Sequence, residues 1–363
     1  MTRWTTERAW DWYRGRPWIR GFNYVSSDCV NRIEMWQELD HDEKERTFER
    51  ELALAGESGF NSLRIILPFE VWFQDRAGVM ARFERFLTIA DQHGLDTMVA
   101  FGNDCMVPKK FFREPVLGPQ PVDWGYHGGI ARSPHAVLDE PGYSLLDEPE
   151  MAALFVEMVD QVVGTYAKDR RVGIWDLFNE PGNGRRDSMS LPHMVRFFEV
   201  ARSHDPIQPL TSGPWRVGVN GEPLAEIEQV AMDLSDVISF HDYTGYNNSI
   251  KVLEVLKREN RPLLNTEWLH RMQGNDVATH LPLYYLERVG CYNWGFVAGK
   301  SQTYEPWEAI WTRRANGQGD HYDFTKWQHD LFRPTLRPYD PNELDLFREY
   351  FTRADEQFRA GTW

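Results

Sequence analysis

At 363 residues, 42% of them hydrophobic and 14% aromatic, the chain can bury a large core, which excludes a disordered or low-complexity protein. Its formal net charge of −15 argues against a nucleic-acid or anionic-membrane surface as partner. No apolar run approaches the length of a membrane span. The start, Met-Thr-Arg-Trp-Thr-Thr-Glu-Arg, lacks the apolar stretch of a signal peptide, and Cys29, Cys105 and Cys291 fit neither a disulfide framework nor a zinc site. Free thiols in a reducing cytoplasm are therefore expected.

Residues 1–17 are aromatic and charged (Trp4, Trp10, Trp12, Tyr13) and read as a cover over the floor of whatever follows. A first strand is predicted over 18–25. The loop 26–37 carries Glu34, Met35 and Trp36, and an amphipathic helix over 41–58 stops at Gly59. A second strand, 61–68, holds Arg64 in an otherwise apolar run. That charge is either paired inside or turned to solvent at an edge, since an unpaired buried cation is costly. A helix over 79–93 leads to a third strand, 96–102, with Asn103, Asp104 and Cys105 at its mouth. The long segment 106–148, with Trp124, Tyr126 and His127, suits a substrate-covering lid or a structural loop.

A helix over 149–168 precedes the run 172–181. Val172, Ile174, Trp175, Leu177 and Phe178 read as a strand buried on both faces, as in parallel sheets covered by helices. Asn179 and Glu180 close that strand, and Pro181 and Gly182 open a loop. In a parallel barrel that end carries chemistry, although a glutamate there equally suits a solvated turn. Helices over 188–204 and 223–234 flank a short strand, 209–216. The strand 237–243 puts His241 and Tyr243 two apart, hence on one face. A helix over 247–260 leads to the strand 262–269, which again ends an apolar run in a carboxylate, Glu267. After a helix over 276–289, the strand 291–298 carries Trp294, with Lys300 extending its mouth. A Trp- and Pro-rich excursion, 303–340, and a last helix, 341–354, complete the chain.

Eight strands alternating with eight helices predict an α/β chain folded as a single closed (β/α)8 TIM barrel over 1–363 with extended βα loops. No glycine-rich dinucleotide or phosphate fingerprint is present, and no metal or organic cofactor is expected. Retaining glycoside hydrolysis needs two carboxyl groups about 5 Å apart, a distance that two strand-end glutamates across a barrel mouth could meet and that periodicity by itself does not fix.

The ordered set of Asn-Glu-Pro at 179–181, Thr-Glu-Trp at 266–268, Arg64, His241, Tyr243 and Trp294 resembles the retaining glycoside hydrolases of the cellulase-like (β/α)8 clan, family 5 among them. The resemblance runs from Arg20 to about Phe351. It implies that Glu180 is the acid/base, kept protonated near neutrality, and Glu267 the ionised nucleophile supported by Arg64 and Tyr243. It implies further that Asn179 binds the sugar 2-hydroxyl and that His241 and Trp294 line the site. Asp104, Trp36 and Lys300 complete the expected substrate-binding set. Carbohydrate is the expected partner; the oligomeric state stays open. An exo-acting β-glycosidase on short glycosides is favoured over an endo-β-1,4-glycanase, a transglycosylase or an inactive sugar-binding barrel.

Overall fold

The computed structural model describes residues 2–122, 135, 139–220 and 222–363, so Trp124, Tyr126 and His127 lie outside the described residues. The strands are β1 (Arg20–Asn23), β2 (Ser62–Ile66), β3 (Asp96–Asn103), β4 (Val172–Asn179), β5 (Leu210–Gly213), β6 (Ile238–His241), β7 (Leu263–Trp268) and β8 (Gly290–Trp294). They pair in parallel in the order β5-β4-β3-β2-β1-β8-β7-β6, and the chain is the (β/α)8 barrel expected from its alternating pattern. The remaining seam, β5 to β6, is closed differently. Asp236 N–H donates to Leu210 O at 2.7 Å and His241 N–H to Pro214 O at 3.1 Å. Between them the Thr211 and Ser239 hydroxyls meet at 2.7 Å, and Thr211 also donates to Val237 O.

The helices in chain order are α1 (Thr6–Arg14), α2 (Arg32–Trp36), α3 (His41–Glu57), α4 (Phe69–Trp72), α5 (Arg76–Gln92), α6 (Pro149–Tyr166), α7 (Leu191–Ser203), α8 (Glu226–Leu234), α9 (Tyr246–Leu256), α10 (Val277–Leu286), α11 (Glu308–Ala315) and α12 (Pro341–Arg359). Strand residues alternate between two cores, as a period of two requires. Leu63, Ile65, Val99, Phe101, Trp175 and Leu177 face outward into the core shared with the helices. Ile19, Met98, Ile174, Val237, Leu264 and Tyr292 fill the lower barrel interior, where Trp4 and, from α1, Ala9 and Tyr13 pack against them.

That lower layer is closely packed. A Cβ placed on Gly21 of β1 would lie 2.3 Å from the Tyr292 ring, which its hydroxyl anchors to Ser62 at 2.8 Å. Gly21→Ala should therefore cost about 1–3 kcal/mol of stability as overpacking, read from the urea midpoint. Tyr292→Leu in the same chain should restore part of the loss. An unchanged midpoint for Gly21→Ala would mean that the ring moves aside freely.

Candidate active site

Above the apolar layer the barrel axis becomes polar. Arg64 on β2 points inward and is 1% exposed, a position that needs every N–H donor answered. Its Nε and Nη2 donate to Asp176 Oδ2 at 3.0 and 2.7 Å, and Nη1 donates to Asn23 Oδ1 at 2.7 Å. The same Nη1 reaches Glu267 Oε1 at 2.9 Å, and Nη2 reaches Asn179 Oδ1 at 2.5 Å. Burial opposes the Arg64 charge, but Asp176 and Glu267 outweigh it and hold the guanidinium protonated. Asn179 completes the layer by donating to Asn103 Oδ1 at 2.8 Å.

The strands that carry the glutamates are locally irregular. Pairing shifts register between Asp176 and Asn179 on β4, between Phe240 and His241 on β6, and between Asn265 and Trp268 on β7. Such bulges re-aim side chains. Glu180 just beyond β4 has φ +50°, a left-handed conformation that costs a residue with a Cβ about 1–3 kcal/mol. It is held there by its N–H on Gly213 O at 3.1 Å and by its carbonyl accepting from Asn183 N–H at 3.0 Å. The result turns Glu180 toward β6 and β7.

There it meets His241 and Glu267. His241 Nδ1 lies 2.8 Å from Glu180 Oε1 and 3.4 Å from Glu267 Oε2, and one ligating atom from each of the three residues falls within 4.8 Å of the others. Tyr243 donates its hydroxyl to Glu267 Oε2 at 2.8 Å. Burial and the neighbouring carboxylates push the Tyr243 pKa well up, which keeps it a donor. Glu180 Oε2 accepts from Asn183 Nδ2 at 2.6 Å.

The protonation pattern departs from the expected one. Burial raises the Glu180 pKa, but the hydrogen bond and charge of His241 and the bond from Asn183 overcome it and carry the group down to about 2. Burial raises Glu267, and the nearby Glu180 adds to this, against the pull of His241 and Arg64. Of the two carboxyl groups, Glu180 is thus pushed toward the anion and Glu267 toward the acid. The roles do not follow from these directions alone, because His241 Nδ1 lies within reach of both carboxylates, 2.8 Å from Glu180 and 3.4 Å from Glu267.

Three of the expected binding residues lie elsewhere. Asp104 is fully buried below the loop after β4, where Arg186 Nε and Ser190 Oγ bond its Oδ1 at 2.7 and 2.6 Å and Gly182 N–H bonds its Oδ2 at 2.8 Å. Burial lifts its pKa to about 6 against the pull of Arg186. It fixes the loop that carries Glu180 and Asn183. Trp36 is fully buried and packs on Phe83 and Phe86 at centroid distances of 6.0 and 5.3 Å, so it is core and no sugar platform. A tryptophan in a predicted loop gave no sign that a short helix would turn it inward. Lys300 is exposed, its backbone N–H on Ser27 O at 2.9 Å, and no hydrogen bond or ion pair among the described residues joins it to Glu180 or Glu267. Trp294 ends β8 level with Asn23 on β1, half-buried at the barrel mouth.

The sequence reading passed over Asn23, Asp176, Asn183, Trp215, His135 and Trp307. Asp176 was detectable as the one carboxylate inside the β4 apolar run, the natural counter-charge for Arg64. Asn183, three residues past Glu180, carried no signal until the turn was known. His135 and Trp307 come from two distant excursions that meet over the site. His135 O accepts from Ala309 N–H at 2.9 Å, the His135 and Trp307 rings stack at 4.6 Å, and Trp307 stands edge-on to Tyr243 at 5.3 Å. Under this wall is a cavity of about 370 Å³ lined by Glu180, Asn183, His241, Tyr243 and Trp215. A wider cleft of about 810 Å³ adjoins it and shares Asn183, Trp215 and Trp307. No described helix is long and apolar enough to cross a membrane.

No family model and no curated protein matches this sequence. Solved structures do match in fold. The exo-β-1,4-mannosidase Op5Man5 from Opitutaceae bacterium strain TAV5 is 16% identical, with a TM-score of 0.57 over 94% of this chain and 60% of its own, so the present chain spans less than two thirds of that protein. An endo-β-1,4-mannanase from Thermotoga petrophila is 13% identical, with a TM-score of 0.57 over 96% of this chain and 78% of its own. A glycoside hydrolase family 5 mannosidase from Rhizomucor miehei is 13% identical, with a TM-score of 0.56 over 95% and 94%. The likeness is one of barrel architecture.

Removing the central cation should be costly. Arg64→Met leaves Asp176 and Glu267 buried without their partner, and about 3–5 kcal/mol of stability should be lost in urea unfolding at neutral pH. Adding Asp176→Asn should return part of it. A loss well under that range in the single variant would show that the interior tolerates the unpaired carboxylates.

Proposed function

We propose that the protein is a retaining β-glycoside hydrolase with Glu267 as nucleophile and Glu180 as acid/base. The observation that carries the reading is that one carboxylate oxygen of Glu180 lies within 4.8 Å of one of Glu267, with His241 Nδ1 at 2.8 and 3.4 Å from the two groups. Retaining enzymes need about 5–5.5 Å between their carboxyl groups, and inverting ones about 6.5–9.5 Å to admit a water. The surroundings also divide the roles. Arg64 and Tyr243 each donate to Glu267, an arrangement suited to an anionic nucleophile. Glu180 faces the open cavity beside Asn183, where a leaving oxygen would sit.

The steps follow from the residues. Substrate entering the cavity displaces water and separates Glu180 from Asn183, which removes a bond that favours the carboxylate. Glu180 then carries the proton for the first step. Glu267 attacks the anomeric carbon as the glycosidic C–O bond breaks and Glu180 protonates the departing oxygen. Esterification removes the Glu267 charge, so Glu180 is again favoured as a carboxylate and takes a proton from the incoming water. Hydrolysis of the ester returns Glu267 and the proton to the resting group. Asn179 and Trp294 line the sugar end, the first as the 2-hydroxyl partner and the second as a stacking surface.

The wall of His135 and Trp307 supports exo action, because it stands over one side of the pair and leaves a cavity of single-ligand size. The matching structures named for mannosidase and mannanase activity make β-mannosides the first substrates to try, with β-glucosides beside them. Nothing in the geometry requires a metal for this route.

Two outcomes check the assignment. A 2-deoxy-2-fluoro β-glycosyl fluoride should leave a covalent adduct on Glu267 by intact mass and peptide mapping; an adduct on another residue would overturn the site. Asn183→Ala removes a donor that stabilises ionised Glu180. A hydrogen bond to a charged group is worth about 1.5–3 kcal/mol, so the alkaline limb of the kcat/KM profile, where the acid loses its proton, should move up by about one pH unit. A limb that stays in place or moves down would show that Asn183 does not tune Glu180.

A further inference from the structure

Asn183, the donor to Glu180, is followed by glycine. An asparagine loses its amide nitrogen most readily before glycine, because no Cβ crowds the peptide nitrogen that attacks the side-chain amide carbon. The sequence holds two further Asn-Gly pairs, at 220–221 and 316–317. In a folded chain the rate depends on whether nitrogen and amide are brought together.

At Asn183 they are. Gly184 N–H donates to the Asn183 side-chain oxygen at 2.6 Å, so the nitrogen stands against the amide group it attacks. At Asn316 they are not, because Gly317 N–H is turned to Arg314 O at 3.1 Å at the end of α11. The fold also requires the pair at 183–184. Gly184 has φ +59°, and a Cβ on it would lie 2.6 Å from Asp104 O. Asn183 supplies the Nδ2 donor that Glu180 Oε2 accepts at 2.6 Å. Both residues line the wider cleft, which gives water a way in and ammonia a way out.

We infer that Asn183 is a site of spontaneous deamidation, which replaces the donor to Glu180 with a carboxylate. Gly184 N bonds to Asn183 Cγ, the Cγ–Nδ2 bond breaks, and the peptide proton leaves with the nitrogen as ammonia. One water then opens the cyclic imide, to aspartate at one carbonyl or to isoaspartate at the other. The effect on activity rests on the glycosidase reading. An aspartate oxygen in place of Nδ2 sets two carboxylates in contact, which cannot both ionise, and this drives Glu180 toward its acid form. Isoaspartate lengthens the turn in which Asn183 N–H bonds Glu180 O at 3.0 Å.

The test incubates the folded protein at mildly alkaline pH and follows, by peptide mapping, the exchange of NH2 for OH at each Asn-Gly pair. The urea-unfolded chain serves as the clock for sequence alone. Asn183 should convert ahead of Asn316 in the folded protein, although the two convert alike when unfolded. An Asn183 that stays intact in the folded protein, or an Asn316 that converts first, would overturn the site whatever the activity. Asn183→Asp carries the product from the start. Its alkaline limb of kcat/KM should lie above that of Asn183→Ala, because it removes the donor and adds a like charge. A limb level with that of Asn183→Ala, or below it, would overturn the coupling to Glu180. Conversion at 183 in a protein inert toward β-mannosides and β-glucosides would overturn the glycosidase reading and leave the modification standing.

Discussion

A guanidinium at the centre of a closed barrel governs this structure. Arg64 is shielded from water, so its charge must be met by the protein itself, and it is met from four other strands: Asn23 on β1, Asp176 and Asn179 on β4, Glu267 on β7, and, through Asn179, Asn103 on β3. Each partner is thereby fixed in position. The interior below has no such demand and fills with Met98, Ile174, Leu264 and Tyr292. The barrel is thus divided into an apolar half that stabilises and a polar half that orients. Replacing the buried ions with apolar groups would often be neutral or favourable for stability alone. What the buried ions do here is fix the positions of Glu267 and Asn179.

The second constraint is the crowding of ionisable groups. One atom each of Glu180, His241 and Glu267 lies within 4.8 Å of the others, and the two carboxyl groups are pushed in opposite directions, Glu180 down and Glu267 up. Such a group titrates as a unit, and an apparent pKa belongs to the set. Asn183 from the following turn adds to the pull toward an ionised Glu180.

Much of this was legible in the sequence. Hydrophobic runs ending in polar residues gave all eight strands, and strand-end position gave Glu180, Glu267, His241 and Tyr243. Arg64 announced itself as a charge in an apolar strand. What was hidden depended on tertiary detail. Asp104 stands at a strand mouth like a ligand, yet the turn of the loop sends it down to Arg186. Trp36 reads as a free aromatic until α2 folds it onto Phe83 and Phe86. His135 and Trp307 are separated by more than 170 positions in sequence, and no local pattern predicts that they stack. Strand ends are fixed by hydrogen-bonded neighbours, whereas loop side chains are fixed by partners that the chain finds only on folding.

The seam between β5 and β6 has a consequence of its own. At other junctions the ring of strands is joined by backbone bonds that any residue except proline supplies. Here the Thr211 and Ser239 hydroxyls take over part of that work. Continuity of the ring at this joint therefore depends in part on side-chain identity, and the joint separates the strand beside Glu180 from the strand that bears His241. A barrel is stiff as a hoop only where the hoop is unbroken. Across it, His241 N–H bonds Pro214 O while the neighbouring Gly213 carbonyl holds the Glu180 N–H, so the register of this joint sets how far the imidazole stands from the Glu180 carboxylate.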